Sequence, residues 1–102
     1  MSEIQVIGNK FRADFGQYVF ELNFESETEL GFRYLKGGEN DDVEKVSINK
    51  VEIRPNVYMV SWQEKTGTSV VHLEDFENEI VYSNITLPDN TFINLKGTLT
   101  KI

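Results

Sequence analysis

Most of this chain alternates apolar and polar residues with a period of two, and turn residues interrupt the alternation at short intervals. Phe20, Leu22 and Phe24, for example, alternate with polar neighbours before the sequence ESE breaks the run. This pattern is typical of half-buried strands joined by hairpins. It predicts about seven consecutive antiparallel strands. Residues 9–16 are the one segment that allows a short helical turn.

One long predicted strand, residues 43–54, changes its apolar phase between Ile48 and Val51. Such a slip predicts a bulge, or a bend of the kind that closes barrels. A flat sheet of this many hairpins would also expose two long edges, which closure removes. The predicted fold is therefore all-β, a small antiparallel up-and-down barrel of about seven to eight strands, with a compact sandwich as the alternative. The interior of such a barrel holds packed side chains or one small ligand.

Length and composition exclude several classes of protein. The 102 residues suit one domain, assigned here to residues 1–102. Asp and Glu outnumber Lys and Arg by 17 to 10, and the net charge of −7 repels nucleic acids and anionic membrane surfaces. With no cysteine and one histidine, common zinc sites are excluded, so we expect no metal and no cofactor. The first ten residues do not resemble a signal peptide, which predicts a cytoplasmic protein.

The hairpin over residues 57–76 carries the candidate functional groups. Tyr58, Val60, Trp62 and Glu64 share one strand face, because side chains alternate between the two faces. A three-residue KTG turn places Glu64 opposite Thr68, Trp62 opposite Val70 and Val60 opposite His72. This is the more apolar face of the hairpin, so it is predicted to line the interior and to carry Glu64 and His72 inward with it.

Glu64 and His72 are the candidate catalytic residues. A carboxyl group in a dry pocket is harder to ionise, which suits a general acid or base near neutral pH. A histidine on the same wall would complete an acid–base pair. The alternative is that Glu64 is a solvated group at the barrel mouth, and that His72 is a hydrogen-bonded interior or rim residue.

The sequence VYMVSWQEKTGT, residues 57–68, resembles the hairpin Val-Tyr-x-Val-Ser-Trp-x-Glu-x-Thr-Gly-Thr of the phenolic acid decarboxylase family, whose fold is a calycin, or lipocalin-like, barrel. The C-terminal sequence DNTFINLKGTLTKI is more similar to the MoaF-related domain, another calycin group. The first resemblance implies that Glu64 acts on a substrate inside the barrel. It also implies a pocket lined by Thr68, Val70, Ile85 and Leu87.

The chain departs from the decarboxylases at the residues that grip their substrate. Those enzymes hold the substrate carboxylate with two tyrosines and an arginine, and the aligning positions here are Ala13, Phe15 and Asp41. An aspartate in place of an arginine repels a carboxylate instead of binding it. The resemblance therefore implies the barrel without phenolic acid decarboxylation.

These observations together predict a small calycin-type barrel that binds an apolar or aromatic small molecule. The predicted ligand-binding residues are Tyr58, Trp62, Glu64, Thr68, Val70, Ile85 and Leu87. One alternative is a minimal lyase or isomerase that uses Glu64 as general acid–base. Another is a non-catalytic homodimer that associates through outer-face residues such as Met59, Val71 and Tyr82.

Overall fold

The computed structural model of the protein describes residues 4–38 and 41–102, and all of the regular structure in these ranges is β-strand. The strands are β1 (Lys10–Asp14), β2 (Val19–Phe24), β3 (Glu29–Lys36), β4 (Glu44–Ser47), β5 (Asn49–Arg54), β6 (Val57–Gln63), β7 (Ser69–Asp75), β8 (Ile80–Thr86) and β9 (Phe92–Lys101). No helix among the same residues is long and apolar enough to span a bilayer.

The strands form one antiparallel sheet in the order β4-β3-β2-β1-β9-β8-β7-β6-β5, curled into a nearly closed barrel. Strands that are consecutive in the chain are neighbours in the sheet, except β4 and β5, which form its two edges. The first and last strands, β1 and β9, also pair with each other. The predicted all-β, up-and-down barrel is confirmed, with nine strands in place of seven to eight. The difference comes from β1 and from the division of one predicted strand into β4 and β5.

The helical turn allowed at residues 9–16 is wrong, because most of this segment is strand β1. Phe11 and Ala13 are buried, while Lys10 and Arg12 face outward. The strand lies between β2 and β9, where both of its edges are hydrogen-bonded. Two such neighbours outweigh the weak local preference of a five-residue segment for a helical turn.

The predicted bend in residues 43–54 is confirmed, and it lies at Ile48. Strand β4 pairs with β3, whereas β5, which is separated from β4 by this single residue, pairs with β6 at the opposite edge of the sheet. Ile48 is buried at the corner, and its amide donates a hydrogen bond to the Thr28 carbonyl at 2.9 Å. The phase of the side chains changes here because one continuous segment supplies both edges of the barrel.

The interior of the barrel has two ends that differ in packing. At one end, called the packed end, the rings of Phe11, Phe24, Tyr58 and Phe76 meet edge to face, with centroids 4.8–6.0 Å apart. The other end, called the open end, is framed by the β1–β2, β6–β7 and β8–β9 turns and contains a cavity. The inward side chains of a single strand are distributed along the barrel axis, so one strand contributes side chains to both ends.

Candidate functional site

The cavity at the open end has a volume of about 240 Å³. An apolar cavity of ~150 Å³ is large enough to bind benzene, so this one has room for a substituted ring or a small bicyclic compound. Its walls are mainly aromatic and aliphatic, including Phe20, Phe32, Trp62, Ile85 and Leu95. Tyr18, which is 40% exposed, lines it at the rim and places the opening beside the β1–β2 turn.

Most of the residues that the sequence nominated for ligand binding line this cavity. They are Trp62, Glu64, Thr68, Val70, Ile85 and Leu87. The predicted pairings of Trp62 with Val70 and of Val60 with His72 are those of the structure. Both candidate catalytic residues, Glu64 and His72, are also in the lining. The strand alternation therefore brings these seven nominated side chains to the inner face of the barrel.

Tyr58 was predicted to bind the ligand but does not line the cavity, because its side chain belongs to the packed end. Its ring lies 6.0 Å from that of Phe76, and the Lys50 ammonium lies 4.0 Å above it. Tyr58 shares its strand face with Glu64, but six residues of strand separate the two by about 20 Å. A shared face places both inside the barrel without placing them at the same depth.

Trp62 forms the wall beside Glu64. Its Nε1 donates a hydrogen bond to Glu64 Oε2 at 3.4 Å. The indole is buried, and its centroid lies 6.0 Å from the Phe32 ring and 4.8 Å from the His72 ring. The polar edge of the indole is thus engaged with the carboxyl group, and its remaining surface is available to pack against Phe32, His72 and the contents of the cavity.

Glu64 begins the β6–β7 turn, which fixes its backbone on both sides. The Glu64 amide donates to the Thr68 carbonyl at 2.7 Å, and the Gly67 amide donates to the Glu64 carbonyl at 2.9 Å. Gly67 has a φ of +96°, a conformation that favours glycine. Burial raises the pKa of the Glu64 carboxyl above its ordinary value, the Trp62 hydrogen bond opposes this, and the nearby Glu44 adds to the rise. Glu64 is thereby biased towards its neutral, proton-donating form.

The predicted Glu64–His72 acid–base pair is not directly bonded, since each residue has another partner. His72 Nδ1 lies 2.9 Å from Oε2 of Glu74, a fully buried carboxyl group that sequence reasoning missed. The signal was present, because Glu74 continues the inward phase of Val70 and His72. His72 faces the cavity, whereas Glu74 lies one pleat deeper, towards the packed end.

Three polar residues of the cavity lining were not nominated as ligand contacts. Ser83 lies directly opposite His72 across β7 and β8, and it is buried. Tyr18 and Tyr34 line the cavity from the other side of the barrel. Burial raises the pKa of Tyr34, and the nearby Glu64 carboxyl raises it further. The strand phase of Ser83 and Tyr34 signals their inward orientation, whereas Tyr18 precedes β2 and carries no such signal.

The residues that align with the substrate-binding tyrosines and arginine of the decarboxylases do not form a carboxylate-binding site here. Ala13 is fully buried in β1, and the Phe15 ring lies 6.3 Å from the His72 ring. Asp41 lies 3.7 Å from Arg33, whose guanidinium also pairs with Glu21 on the outer face at 3.1 Å. No lysine or arginine lines the cavity within residues 4–38 and 41–102. In the same part of the chain, no group of three or more histidine or carboxylate residues could hold a metal ion.

Comparison with known proteins supports both the fold and a family assignment. The sequence profile of the MoaF-like family matches residues 7–100. A crystal structure described as a putative beta-lactamase from Burkholderia vietnamiensis superposes with a TM-score of 0.90 over 100% of both chains, at 17% sequence identity. At that identity the likeness extends to the fold alone. No curated protein matches the chain.

Proposed function

The chain belongs to the MoaF-like family, and we propose that it is a small-molecule-binding barrel whose ligand is a compact aromatic compound held in the cavity at the open end. The observation that carries the proposal is the cavity of about 240 Å³, which is built into the side of the barrel that carries the resemblance to a ligand-binding hairpin. A void of this size in an otherwise packed interior forgoes the contacts that would fill it. A ligand supplies those contacts.

The lining indicates the shape and polarity of the ligand. Apolar side chains cover most of the wall, so a flat ring gains free energy by leaving water. Glu64 supplies one polar group at the mouth, held in place by the Trp62 indole. With no lysine or arginine among the described lining residues, an uncharged ligand suits this cavity better than a carboxylate.

Binding is tested by titrating uniformly ¹⁵N-labelled protein with indole and with acetophenone while amide resonances are followed. We expect shifts concentrated on Val70, Ile85 and Leu87, with a dissociation constant on the order of 0.1 mM for ligands of about ten heavy atoms. Shifts scattered over the surface, or none up to millimolar ligand, would contradict the proposal.

Two neighbouring valines in β7 provide matched variants for the same titration. Val70 lines the cavity and Val71 faces outward. Val70→Phe fills the space that the ligand needs and is expected to abolish binding, whereas Val71→Phe adds the same atoms outside the barrel and leaves binding intact. Equal binding by the two variants would show that the ligand sits elsewhere.

A reaction within this cavity is the alternative, and the environment of Glu64 favours it. A carboxyl group with a raised pKa beside an aromatic-lined space suits general acid–base chemistry. The test is turnover of hydroxycinnamate-like compounds, which would have to be lost in Glu64→Gln. If the compounds bind but are not converted, and Glu64→Gln does not change their binding, the reaction is excluded and the binding function remains.

A row of apolar side chains on the outer face favours a second candidate, a homodimer. Val51, Met59, Leu73 and Tyr82 lie directly opposite one another across β5, β6, β7 and β8, and all are more than one third exposed. The outward residues beside them on β6 and β7 include Ser61, Gln63, Ser69 and Val71, none of which is charged. In a chain with a net charge of −7, two copies can meet at this face without opposing carboxylates.

Sedimentation equilibrium between 10 µM and 1 mM tests the homodimer. We expect a concentration-dependent dimer that Leu73→Lys dissociates. Leu35→Lys is the matched control, because Leu35 is exposed to a similar extent, 43% against 40%, on β3. A protein that stays monomeric throughout the range removes this candidate and leaves the cavity proposal untouched.

A further inference from the structure

Glu74 is a carboxyl group placed where a barrel of this size would ordinarily hold an apolar side chain. It is fully buried between Tyr58 of β6 and Val81 of β8, its opposite residues on the two neighbouring strands. Its Oε2 lies 2.9 Å from His72 Nδ1. Its Oε1 has no hydrogen-bond partner among the described residues. Such an arrangement costs free energy, so it calls for an explanation in terms of what it does for His72.

The possible positions of the shared proton constrain the free side of the imidazole. If Glu74 is ionised and His72 is protonated, the pair is neutral and Nε2 carries hydrogen. If Glu74 is protonated and donates to Nδ1, the pair is again neutral, and the histidine tautomer carries its hydrogen on Nε2. A neutral His72 that donates from Nδ1 leaves Nε2 bare, and Glu74 is then either ionised or protonated on Oε1.

With Glu74 ionised, this arrangement places a net negative charge on a carboxylate that has no solvent exposure and one oxygen without a partner among the described residues. With Glu74 protonated on Oε1, it buries a hydroxyl donor that has no acceptor among those residues. Desolvation of an uncompensated buried charge costs far more than that of a neutral pair. Both favourable arrangements therefore leave Nε2 as an N–H donor. His72 lines the cavity, and Nε2 has no hydrogen-bond partner within residues 4–38 and 41–102.

We propose that Glu74 is a positioning residue that holds His72 with its Nε2–H directed into the cavity, and that the ligand carries an uncharged hydrogen-bond acceptor, a carbonyl oxygen, at its deep end. This inference rests on the proposed function and specifies its ligand class as small aromatic carbonyl compounds. A carbonyl suits the site better than a carboxylate because the His72–Glu74 pair is neutral overall and no lysine or arginine lines the described cavity.

The donor is tested first without any ligand. His72 is the single histidine of the chain, so its two ring nitrogens give unambiguous ¹⁵N resonances in a long-range proton–nitrogen correlation spectrum. We expect a protonated Nε2 at neutral pH, either as the Nε2–H tautomer or as the imidazolium. A neutral ring protonated on Nδ1 would overturn the proposal, whatever the protein binds.

The acceptor is tested with two planar compounds of the same shape, acetophenone and α-methylstyrene, in which a carbonyl oxygen replaces a methylene group. We expect acetophenone to bind about tenfold more tightly, the factor that one hydrogen bond contributes, and His72→Phe to remove the difference. Equal binding of the two compounds by the wild-type protein would overturn this inference while leaving the proposed function in place.

The remaining outcomes are also decisive. Binding of neither compound would overturn the proposed function and, with it, the ligand class inferred here. Ser83 is the competing donor across the strand, so loss of the preference in Ser83→Ala and its retention in His72→Phe would assign the hydrogen bond to the hydroxyl and overturn the role of His72.

Discussion

The two ends of the barrel are built by the same strands but differ in what their side chains contact. In β2, Phe24 and Phe20 lie four residues apart on one face. Phe24 is fully buried and meets Phe11 and Phe76 edge to face, whereas Phe20 is half-buried and borders the cavity. The Phe20 ring also meets a ring, with its centroid 4.6 Å from that of Tyr34, but both residues line the cavity. The difference shows that regular alternation forms the barrel wall, and that the tightly packed cluster of rings at one end leaves the free space at the other.

Strand β7 crosses the boundary between these two ends. Its inward residues run from Val70 in the cavity wall, through His72 and Glu74, towards Phe76 in the packed end. The polar pair occupies the middle, covered on one side by the aromatic cluster and open on the other to the cavity. The packed end thus excludes water from one side of the polar pair, and a hydrogen-bonding group there can be held in a fixed orientation.

The largest expected effect comes from truncating the matched phenylalanines. Phe24→Ala should lower the free energy of unfolding by about 3–5 kcal/mol, because it leaves a void among buried rings. Phe20→Ala should cost about 1–2 kcal/mol, because part of that ring already faces the cavity. Urea unfolding followed by circular dichroism measures both. Equal losses would show that the two ends are packed alike in solution.

Two inward valines test the same difference between the ends by adding side-chain volume instead of removing it. Val60 is fully buried away from the cavity, and Val70 lines it. Val60→Phe should destabilise the protein by about 1–3 kcal/mol through overpacking, whereas Val70→Phe should cost less than about 1 kcal/mol because the new ring enters existing space. Thermal unfolding midpoints distinguish the two. A Val70→Phe variant as unstable as Val60→Phe would argue against a preformed cavity.

The smallest expected effect is a pH dependence confined to the open end. Because the pKa of Glu64 is higher in the folded protein than its ordinary value of 4.5, the folded state binds more protons above that pH, and stability falls as the carboxyl ionises. Glu64→Gln removes this loss, so the variant should gain stability relative to the wild type between pH 4 and pH 7. Thermal unfolding midpoints of both proteins, measured across that range, test the direction of this effect. A stability of Glu64→Gln relative to the wild type that increases towards acid pH would contradict it.

The fluorescence of Trp62, the single tryptophan of the chain, provides an independent readout of the same ionisation. Its Nε1 is bonded to the Glu64 carboxyl, so its emission should titrate with a midpoint above 4.5 in the wild type and lose that transition in Glu64→Gln.

Much of the fold could be predicted from the sequence because hairpins are local. The pairing of Trp62 with Val70 follows from the length of one turn, and the bend near Ile48 follows from a change of phase within a single segment. The strand β1 could not be predicted in the same way. Its pairing with β9, in which Phe11 meets Lys101, depends on residues about ninety positions away.

The candidate site was predictable in orientation but not in depth. Alternation placed Glu64, Trp62 and Tyr58 inside, yet the height of each side chain along the barrel depends on the tilt and packing of distant strands. Tyr58 therefore fell into the aromatic cluster and not into the cavity wall. The inward orientation of Glu74 was likewise predictable from its strand phase, but its burial and its hydrogen bond to His72 were not, because they depend on how other strands cover this position.

The pairing of β1 with β9 also has a consequence for how the chain reaches this shape. These two strands are the first and last of the described structure, and they pair in the middle of the sheet. Until they pair, with Ala13 opposite Leu99, β1–β4 and β5–β9 are two separate meanders. Closing so long a loop is entropically slow. During synthesis on the ribosome, the barrel cannot be completed before β9 has emerged, and until then β1 and β8 each present an unpaired edge.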